Sequence, residues 1–556
     1  MAFTAATPGC AVEVYPYEGS AITLAPGQFT SVTVRKSLRG DSVGTFDIQL
    51  APGGPRGPED PITWSQIITP MSHAVLGMSR GRDRAIVMDG VVTGVGESQV
   101  WQTDQQGVSS AGRGQGISGG DFGWFFRTFN YYALTFYGLT AGTPVGGALD
   151  FVPGSLAAKL SEGAIGGSDA ASSNPVVVGK VWYDIMTGIL AKTVLPMGQQ
   201  QITFAQMMTR NWENYPQVYI PYADFFMTGQ ESWIEKFQSI FPAPWYEFFI
   251  TTAPLAAYKV GTQEAGTPSV LASMPNVTPA GPCLVARVCP VPSFDILNLS
   301  QGQTQVPGDI DVSRWNALPI YDFTTMPFGF FSSRVSFSAN DARNFYQLNP
   351  TGYSTIANSN ANTVPFPFLF IAAADPASVQ RYGFRPQIGT TRWLFDPKGT
   401  AAQNANVSVQ QTILSLTGKL ISWFHPLPLM AQADVTIPLA PNVLVGTRFR
   451  YAPFKSGEPW DFYIEAFEHN FVFGGRSTTR LSLTRGLPAA IYGDSASDGL
   501  LRAIHTGNAM RKQGRYSVGL PEGASLPLQI VSTPEQASQL TGNLSTVFVT
   551  PQSGAS

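Results

Sequence analysis

Two runs near the end of the chain, Phe462 to Phe473 and Ser477 to Arg485, alternate apolar and polar residues and meet at Gly474-Gly475. A period of two puts apolar side chains on one face and polar ones on the other, the pattern of a half-buried strand. A Gly-Gly pair tolerates the positive φ that a tight hairpin turn needs, so these runs predict a hairpin. The same period recurs near the start, with Val32 and Val34 on one arm, Phe46, Ile48 and Leu50 on the other, and Ser37 to Gly44 as the turn. Trp64 to Met71, Ala85 to Met88 and Val91 to Val95 extend the β pattern. Residues 1–112 therefore read as a small β-barrel.

Gly107 to Gly123 holds seven glycines in seventeen residues and reads as a boundary or long loop. A mixed α/β middle domain follows over 113–280. Its clearest helix is Ser232 to Phe241, with a capping box between Ser232 and Glu235, one apolar face from Trp233, Ile234, Phe237, Ile240 and Phe241, and Pro242 as the stop. Pro153 to Pro175 reads as loop. Leu284 to Val288 opens a second β-rich barrel over 281–487, interrupted by helices expected to start at Ser338 to Asp341 and at Asp375-Pro376, and by one traced by Ile413, Leu416, Leu420 and Trp423. A Ser/Pro/Gly-rich C-terminal tail fills 488–556, with a capped turn at Thr533 to Gln536. The fold class is β-rich α+β.

Composition removes several functions. The 34 Lys and Arg against 37 Asp and Glu leave a formal net charge of -3, without the clustered cations that phosphate neutralisation needs. A hydrophobic content of 44% excludes a disordered chain. The best apolar run, Val364 to Ala374, is broken by Pro365 and Pro367 and falls short of the ~18 residues of a membrane span. Met1 to Gly9 has neither a basic region nor a long apolar core, so no secretory signal is expected there. Cys283 and Cys289, separated along a predicted strand at ~3.3 Å per residue, stand ~20 Å apart, too far for a disulfide. A charged content of only 13% suggests a surface largely covered by partners.

Motifs for chemistry are weak. Gly116-Ile117-Ser118-Gly119-Gly120 fits the nucleophile elbow of hydrolases, but the glycine-rich Gly107 to Gln115 stands where the elbow needs an apolar strand, and no His partner follows at an obvious loop. Asp121-Phe122-Gly123 has none of the other kinase elements around it. Arg39-Gly40-Asp41 suits a hairpin tip, where Gly and Asp serve the turn. His73, His425, His469 and His505 are scattered without metal-ligand spacing, and Glu235 serves as a cap partner rather than as one of a carboxylate pair with Glu231. No catalytic, metal or cofactor residue is assigned.

The segments Trp64 to Met71, Met78-Ser79-Arg80-Gly81, Val87 to Val95, Asp121-Phe122-Gly123-Trp124, Trp233 to Phe249, Cys283 to Pro290, Ser338 to Tyr346, Arg381 to Arg385, Val445-Gly446, Phe462 to His469 and Thr478 to Gly486 occur in an order that resembles the central baseplate hub family of contractile phage tails. This is the late-control tail protein group, related to the first part of secretion-system spike proteins. The patterns span roughly residues 25 to 490; residues 140 to 230 carry none, and no lysozyme domain or β-helical spike repeat follows Gly486.

The resemblance implies a structural hub, not an enzyme. Two tube-like β-barrels per chain, flanking mixed segments, would make a pseudo-hexameric ring in a homotrimer, adapting the six-fold tail tube to the three-fold spike. Implied partners are the tail tube protein, the central spike and peripheral wedge proteins, with genomic DNA passing a neutral or acidic lumen without specific binding. No cofactor and no membrane insertion are implied, and the location is the virion baseplate. A tail-tip cell-wall hydrolase with carboxylates in the mixed block, and the tail-tip protein of a non-contractile phage, stay open as alternatives. The tail after 488 lacks the apolar pattern to fold alone, so Arg511, Lys512, Tyr516 and Thr533 are candidate interface residues, together with Arg39 and Asp41 at the predicted hairpin tip.

Overall fold

A computed structural model describes residues 7–38, 43–52, 54–57, 62–103, 109–128, 200–213, 232–266, 277–290, 312–325, 331–338, 340–350, 382–391, 427–455 and 457–489, together with 176–177, 194–197, 219–220, 372–374, 529–531 and the single residues 329, 379, 417, 420, 423 and 424. The first block forms β1 (Pro8–Tyr15), β2 (Ile22–Leu24), β3 (Phe29–Ser37), β4 (Thr45–Leu50), β5 (His73–Arg80), β6 (Asp83–Thr103) and β7 (Ser109–Asp121). The middle holds β8 (Val176–Val177), β9 (Val194–Met197), β10 (Gln200–Thr203), β11 (Thr209–Trp212), β12 (Tyr219–Ile220), β13 (Tyr246–Pro254), β14 (Thr262–Glu264) and β15 (Ala280–Val288). Then come β16 (Ile320–Asp322), β17 (Ser332–Ser336), β18 (Phe345–Pro350), β19 (Ala372–Ala374), β20 (Pro386–Thr391), β21 (Ala431–Pro438), β22 (Arg448–Tyr451), β23 (Trp460–Val472), β24 (Thr478–Pro488) and β25 (Gln529–Val531).

The protein is strand-rich, and its largest element is a 13-stranded sheet in the order β17-β21-β24-β23-β3-β4-β7-β6-β5-β1-β2, with β22 on β23 and β16 on β22. The join is antiparallel pairing of β3 with β23 from Ser37 opposite Ala466 to Ser31 opposite Val472. The two β blocks at either end of the chain thus share one sheet, whose path among the described residues is open. They also share one core: Val32, Val34, Phe46, Ile48 and Ile117 pack in the same buried cluster as Val435, Ile437, Ile464, Leu481 and Leu483. Each of these sits on the apolar phase of an alternating strand, as the period of two requires.

A second sheet, β13-β15-β11-β14, contributes Phe249, Ala253, Cys283 and Val285 to that core. Every residue of β15 is buried. It pairs antiparallel with β13 on one side and parallel with β11 on the other, which is where a continuous apolar run belongs. The helix Trp233–Ile240 forms with the expected capping box, Ser232 accepting from the Glu235 N–H while Glu235 accepts from the Ser232 N–H.

Several expectations are corrected. Trp64–Ile67 is a helical turn rather than a strand, because Thr63 and Gln66 form a capping box and Trp64 points into the core. The glycine-rich stretch is not a loop over 109–121 but β7, paired on both sides with β4 and β6. Glycine is needed there because a Cβ on Gly119 would lie 2.2 Å from the Phe46 ring and 2.3 Å from the Val91 carbonyl oxygen. No helix starts at Ser338: the Ser338 hydroxyl accepts from the Asn340 N–H, Arg343 donates to the Asn340 carbonyl, and the chain enters β18. Leu420 and Trp423 are helical as expected, whereas Ile413, Leu416 and Asp375-Pro376 lie outside the described residues. The hairpin forms as read, with Gly474 at φ 68° in its tip.

Candidate functional site

The polar phase of the same alternating strands forms an outward face across β7, β4, β3, β23, β24, β21 and β17. At ~4.8 Å per strand it is roughly 29 Å wide. One cross-strand row runs Thr45, Arg35, Glu468, Arg480, Thr436, and the next runs Ser37, Ala466, Ser482, Asp434, Arg334. In the first, Arg35 Nε donates to Glu468 at 2.9 Å and Nη1 to Asp47 at 3.3 Å. In the second, the Ser482 hydroxyl donates to Asp434 at 3.1 Å. Small side chains between the charges leave two shallow depressions of about 290 and 310 Å³, both bordered by Ser37, Ala466 and Ser482.

Beneath this face a buried pair holds the seam. Lys36, on the core side of β3, places Nζ 2.7 Å from the Asp121 carboxylate, with both side chains 2% exposed. The Gly44 and Gly123 N–H groups donate to the same carboxylate. Burial raises the Asp121 carboxyl, and Lys36 with the two amides opposes that rise. The Asp-Phe-Gly tripeptide is therefore a structural tie between β3, β7 and the helix Gly123–Thr128 that follows. Ser118 lies in mid-strand, paired with Asp47 and Gly94, and not on a sharp turn.

A bulge in β23 lets one strand serve two environments. Its register shifts between Ile464 and Ala466, so that Trp460, Phe462 and Ile464 face the core before it and Phe467, His469 and Phe471 after it. Before the bulge, the other phase carries Asp461 and Tyr463, both fully buried. Asp461 accepts from Arg450 at 2.6 and 2.9 Å and from Arg448 at 3.3 Å, while Arg448 also donates to the Asn316 and Leu318 carbonyls that end the helix Val312–Asn316. The Tyr463 hydroxyl reaches Glu247 of β13 at 2.7 Å. Arg287 of β15 donates to Glu247 at 3.0 and 3.1 Å, and Arg485 of β24 at 3.3 Å. Arg485 lies between the Trp423 and Tyr463 rings, 4.0 and 3.9 Å from their centroids. Burial pushes the Glu247 carboxyl up, but the two guanidiniums and the Tyr463 hydroxyl outweigh it and hold it below the usual range. This node ties the second sheet to the closing hairpin.

The six predicted interface residues, Arg39, Asp41, Arg511, Lys512, Tyr516 and Thr533, lie outside the described residues. His73 pairs with Asp89 at 2.6 Å, and His469 is buried against Thr479. Among the described residues no group of three or more His, Cys, Asp or Glu is placed to hold a metal, and no helix is long and apolar enough to cross a membrane. Cys10, Cys283 and Cys289 are free thiols. Glu247, the buried carboxylate of the mixed block, is committed to two arginines, a tyrosine and a thiol. Sequence reasoning missed Lys36, Glu247, Arg287 and Arg485, although a charged residue on the apolar phase of a strand, as Lys36 is, signals a buried partner.

No family model matches the chain, and no curated protein matches it. Solved structures do. A tail protein from Neisseria meningitidis MC58 is 11% identical with a TM-score of 0.41, covering 88% of this chain and 99% of its own. The 43 kDa tail protein of prophage MuSo2 from Shewanella oneidensis is 11% identical with a TM-score of 0.40, covering 87% of this chain and 99% of its own. An E. coli type VI secretion component, described as structurally similar to T4 phage tail proteins, is 8% identical with a TM-score of 0.33 and covers 83% of this chain and 74% of its own. Each of these likenesses extends over most of this chain.

Proposed function

We propose that this chain is a non-enzymatic structural protein of a phage tail, the hub of the baseplate. The observation that carries the reading is the single sheet in which β3 and β23 join the two β blocks, with one face apolar and the other polar and open. A chain that presents two joined β blocks can contribute two quasi-equivalent units to a ring, so that three copies supply six. In this reading residues 1–112 and 281–487 are the two tube-like units and 113–280 braces them through the Glu247 node. The tail 488–556, with Arg511, Lys512, Tyr516 and Thr533, contacts the central spike or a neighbour, and Arg39 and Asp41 meet an adjoining subunit. The tail tube lies above, wedge proteins lie outside, and genomic DNA leaves the virion through the lumen.

The test is the native mass of the purified chain together with the symmetry of negative-stain class averages. A particle of three chain masses with a central hole supports the hub. A compact monomer without a hole, paired with release of fragments from purified cell wall, overturns it in favour of a tail-tip hydrolase.

A further inference from the structure

The second β block curls towards closure without reaching it. Its strands follow the order β16-β22-β23-β24-β21-β17, with β23 pairing β22 over its first residues. The Tyr451 hydroxyl of β22 and the Ser333 hydroxyl of β17 lie 3.4 Å apart, so the two ends of this series approach each other. Yet among the described residues β16 pairs only with β22, and β17 only with β21. Phe331, Ser333, Val335 and Phe337 share one phase of β17 and its flanks. Val335 packs against the main core and Phe337 meets the Trp460 ring, while the Arg476 guanidinium stacks on Phe331. Even so, Phe331 and Phe337 stay 38% and 43% exposed, and Ile320 of β16 stays 38% exposed. Ser332, Arg334 and Ser336, on the other phase, are exposed as well. A strand open on both phases has an unpaired outer edge, and aromatic rings left open beside a core mark a surface that awaits cover.

We propose that the outer edge of β17 receives an added strand, and that residues Leu544 to Thr550 of the same chain supply it. This run, Leu-Ser-Thr-Val-Phe-Val-Thr, is uncharged, rich in β-branched residues and set between Gly542-Asn543 and Pro551, the pattern of a strand with turn residues at its ends. It lies outside the described residues. The C-terminal segment already donates one strand: β25 pairs with β19 from Gln529 opposite Ala374 to Val531 opposite Ala372, and β19 pairs with β18. From there β17 is within reach. The steps from Val531 to Leu544 span up to about 43 Å when extended. β18 begins nine residues after β17 ends, and Gln432, opposite Ser336 at that end, donates to Asp341 of the link. An added strand takes up the outer N–H and C=O groups of β17, and its alternate side chains cover Phe331 and Phe337. The inference stands apart from the hub reading, because the strand is added within one chain whatever that chain assembles into. Arg511, Lys512, Tyr516 and Thr533 all precede the run and keep the contacts proposed for them.

The test compares the full chain with one ending at Asn543, by amide hydrogen exchange resolved to peptides. Removing residues 544–556 should speed exchange over 331–337 at least about tenfold, while β23 keeps its rate. A synthetic peptide of residues 541–553 should bind the shortened chain saturably and restore protection over 331–337. It should fail to bind the full chain, whose edge is occupied. The same peptide with Val547→Pro and Phe548→Pro should not bind, because alternate N–H groups of a strand point to opposite sides and the two prolines remove one from each. Should the shortened chain misfold, seen as faster exchange in β23, the full chain carrying Val547→Pro and Phe548→Pro is read by the same criteria. The proposal is overturned if shortening leaves exchange over 331–337 unchanged, or if the peptide protects the opposite sheet edge at β2 instead. It is also overturned if protection over 331–337 in the full chain is lost on dilution as the native mass falls, which assigns the strand to a second copy.

Discussion

His469 offers a sharp test of the packing at the seam. It lies in β23 with no exposed surface, opposite Val34 on β3 and Thr479 on β24, and its ring centroid lies 4.3 Å from that of Phe467 with the planes tilted by 30°. The Thr479 hydroxyl oxygen accepts from the Ala440 N–H at 2.8 Å and is hydrogen-bonded to His469 Nδ1, also at 2.8 Å. The other ring nitrogen, Nε2, is a buried atom without a hydrogen-bond partner. Burial holds the pKa down to about 3 from the ordinary 6.5. The folded protein thus keeps the ring neutral where the unfolded chain would protonate it. The contribution is fully present above pH 6.5 and is lost as pH falls toward 3. At about 1.36 kcal/mol per pH unit, the loss is about 2 kcal/mol at pH 5 and roughly 5 kcal/mol by pH 3. Two measurements check this. Exchange of the His469 C2 proton, followed by mass spectrometry, should be slow and show no titration midpoint between pH 5 and 8. Opening of β23, followed by amide exchange in added urea, should become easier on acidification in wild type, and less so in His469→Leu, by up to about 1.4 kcal/mol per pH unit. A midpoint near 6.5, or equal pH slopes in the two proteins, refutes the reasoning.

Other perturbations reach the remaining ties. Glu247→Gln leaves Arg287 and Arg485 buried without their counter-charge and should cost about 3–5 kcal/mol, read as a lowered thermal midpoint. Because the Glu247 carboxyl is held low, that difference should persist at pH values above 4.5 and shrink as acid protonates the wild-type carboxylate. Lys36→Met strands the Asp121 carboxylate and should cost about 3–5 kcal/mol, whereas Lys36→Met combined with Asp121→Asn should cost clearly less, a coupling that a double-mutant cycle measures. Gly119→Ala forces a Cβ onto the Phe46 ring and the Val91 carbonyl and should abolish soluble expression, while Gly96→Ala, which meets nothing within 4 Å, should express as wild type.

Much of the strand content was legible in the sequence because alternation is a local property. The hairpin at Gly474-Gly475, the strand at Leu284 to Val288 and the capped helix after Ser232 each rest on residues only a few positions apart. Local reasoning failed where two signals competed. Thr63 and Gln66 turned an apolar stretch into a helical turn, and the glycines of β7 looked like a loop because their reason is a close approach to Phe46 and Val91 across the sheet.

The candidate site was the least legible part. Arg35 and Glu468 are 433 positions apart, and nothing local to either says that β3 and β23 pair or which side chains oppose. Register decides this, and a shift by one residue would turn every outward charge into the core. The sequence by itself determined that the chain is built of strands with one apolar and one polar face, since a period of two admits no other burial. Tertiary structure alone decided that the two ends of the chain share one sheet, that Lys36 and Glu247 have buried partners, and that Arg35 on the open face is held by Glu468 and Asp47. The physical reason is that alternation is set by neighbours in the chain, whereas charge pairing is set by neighbours in space.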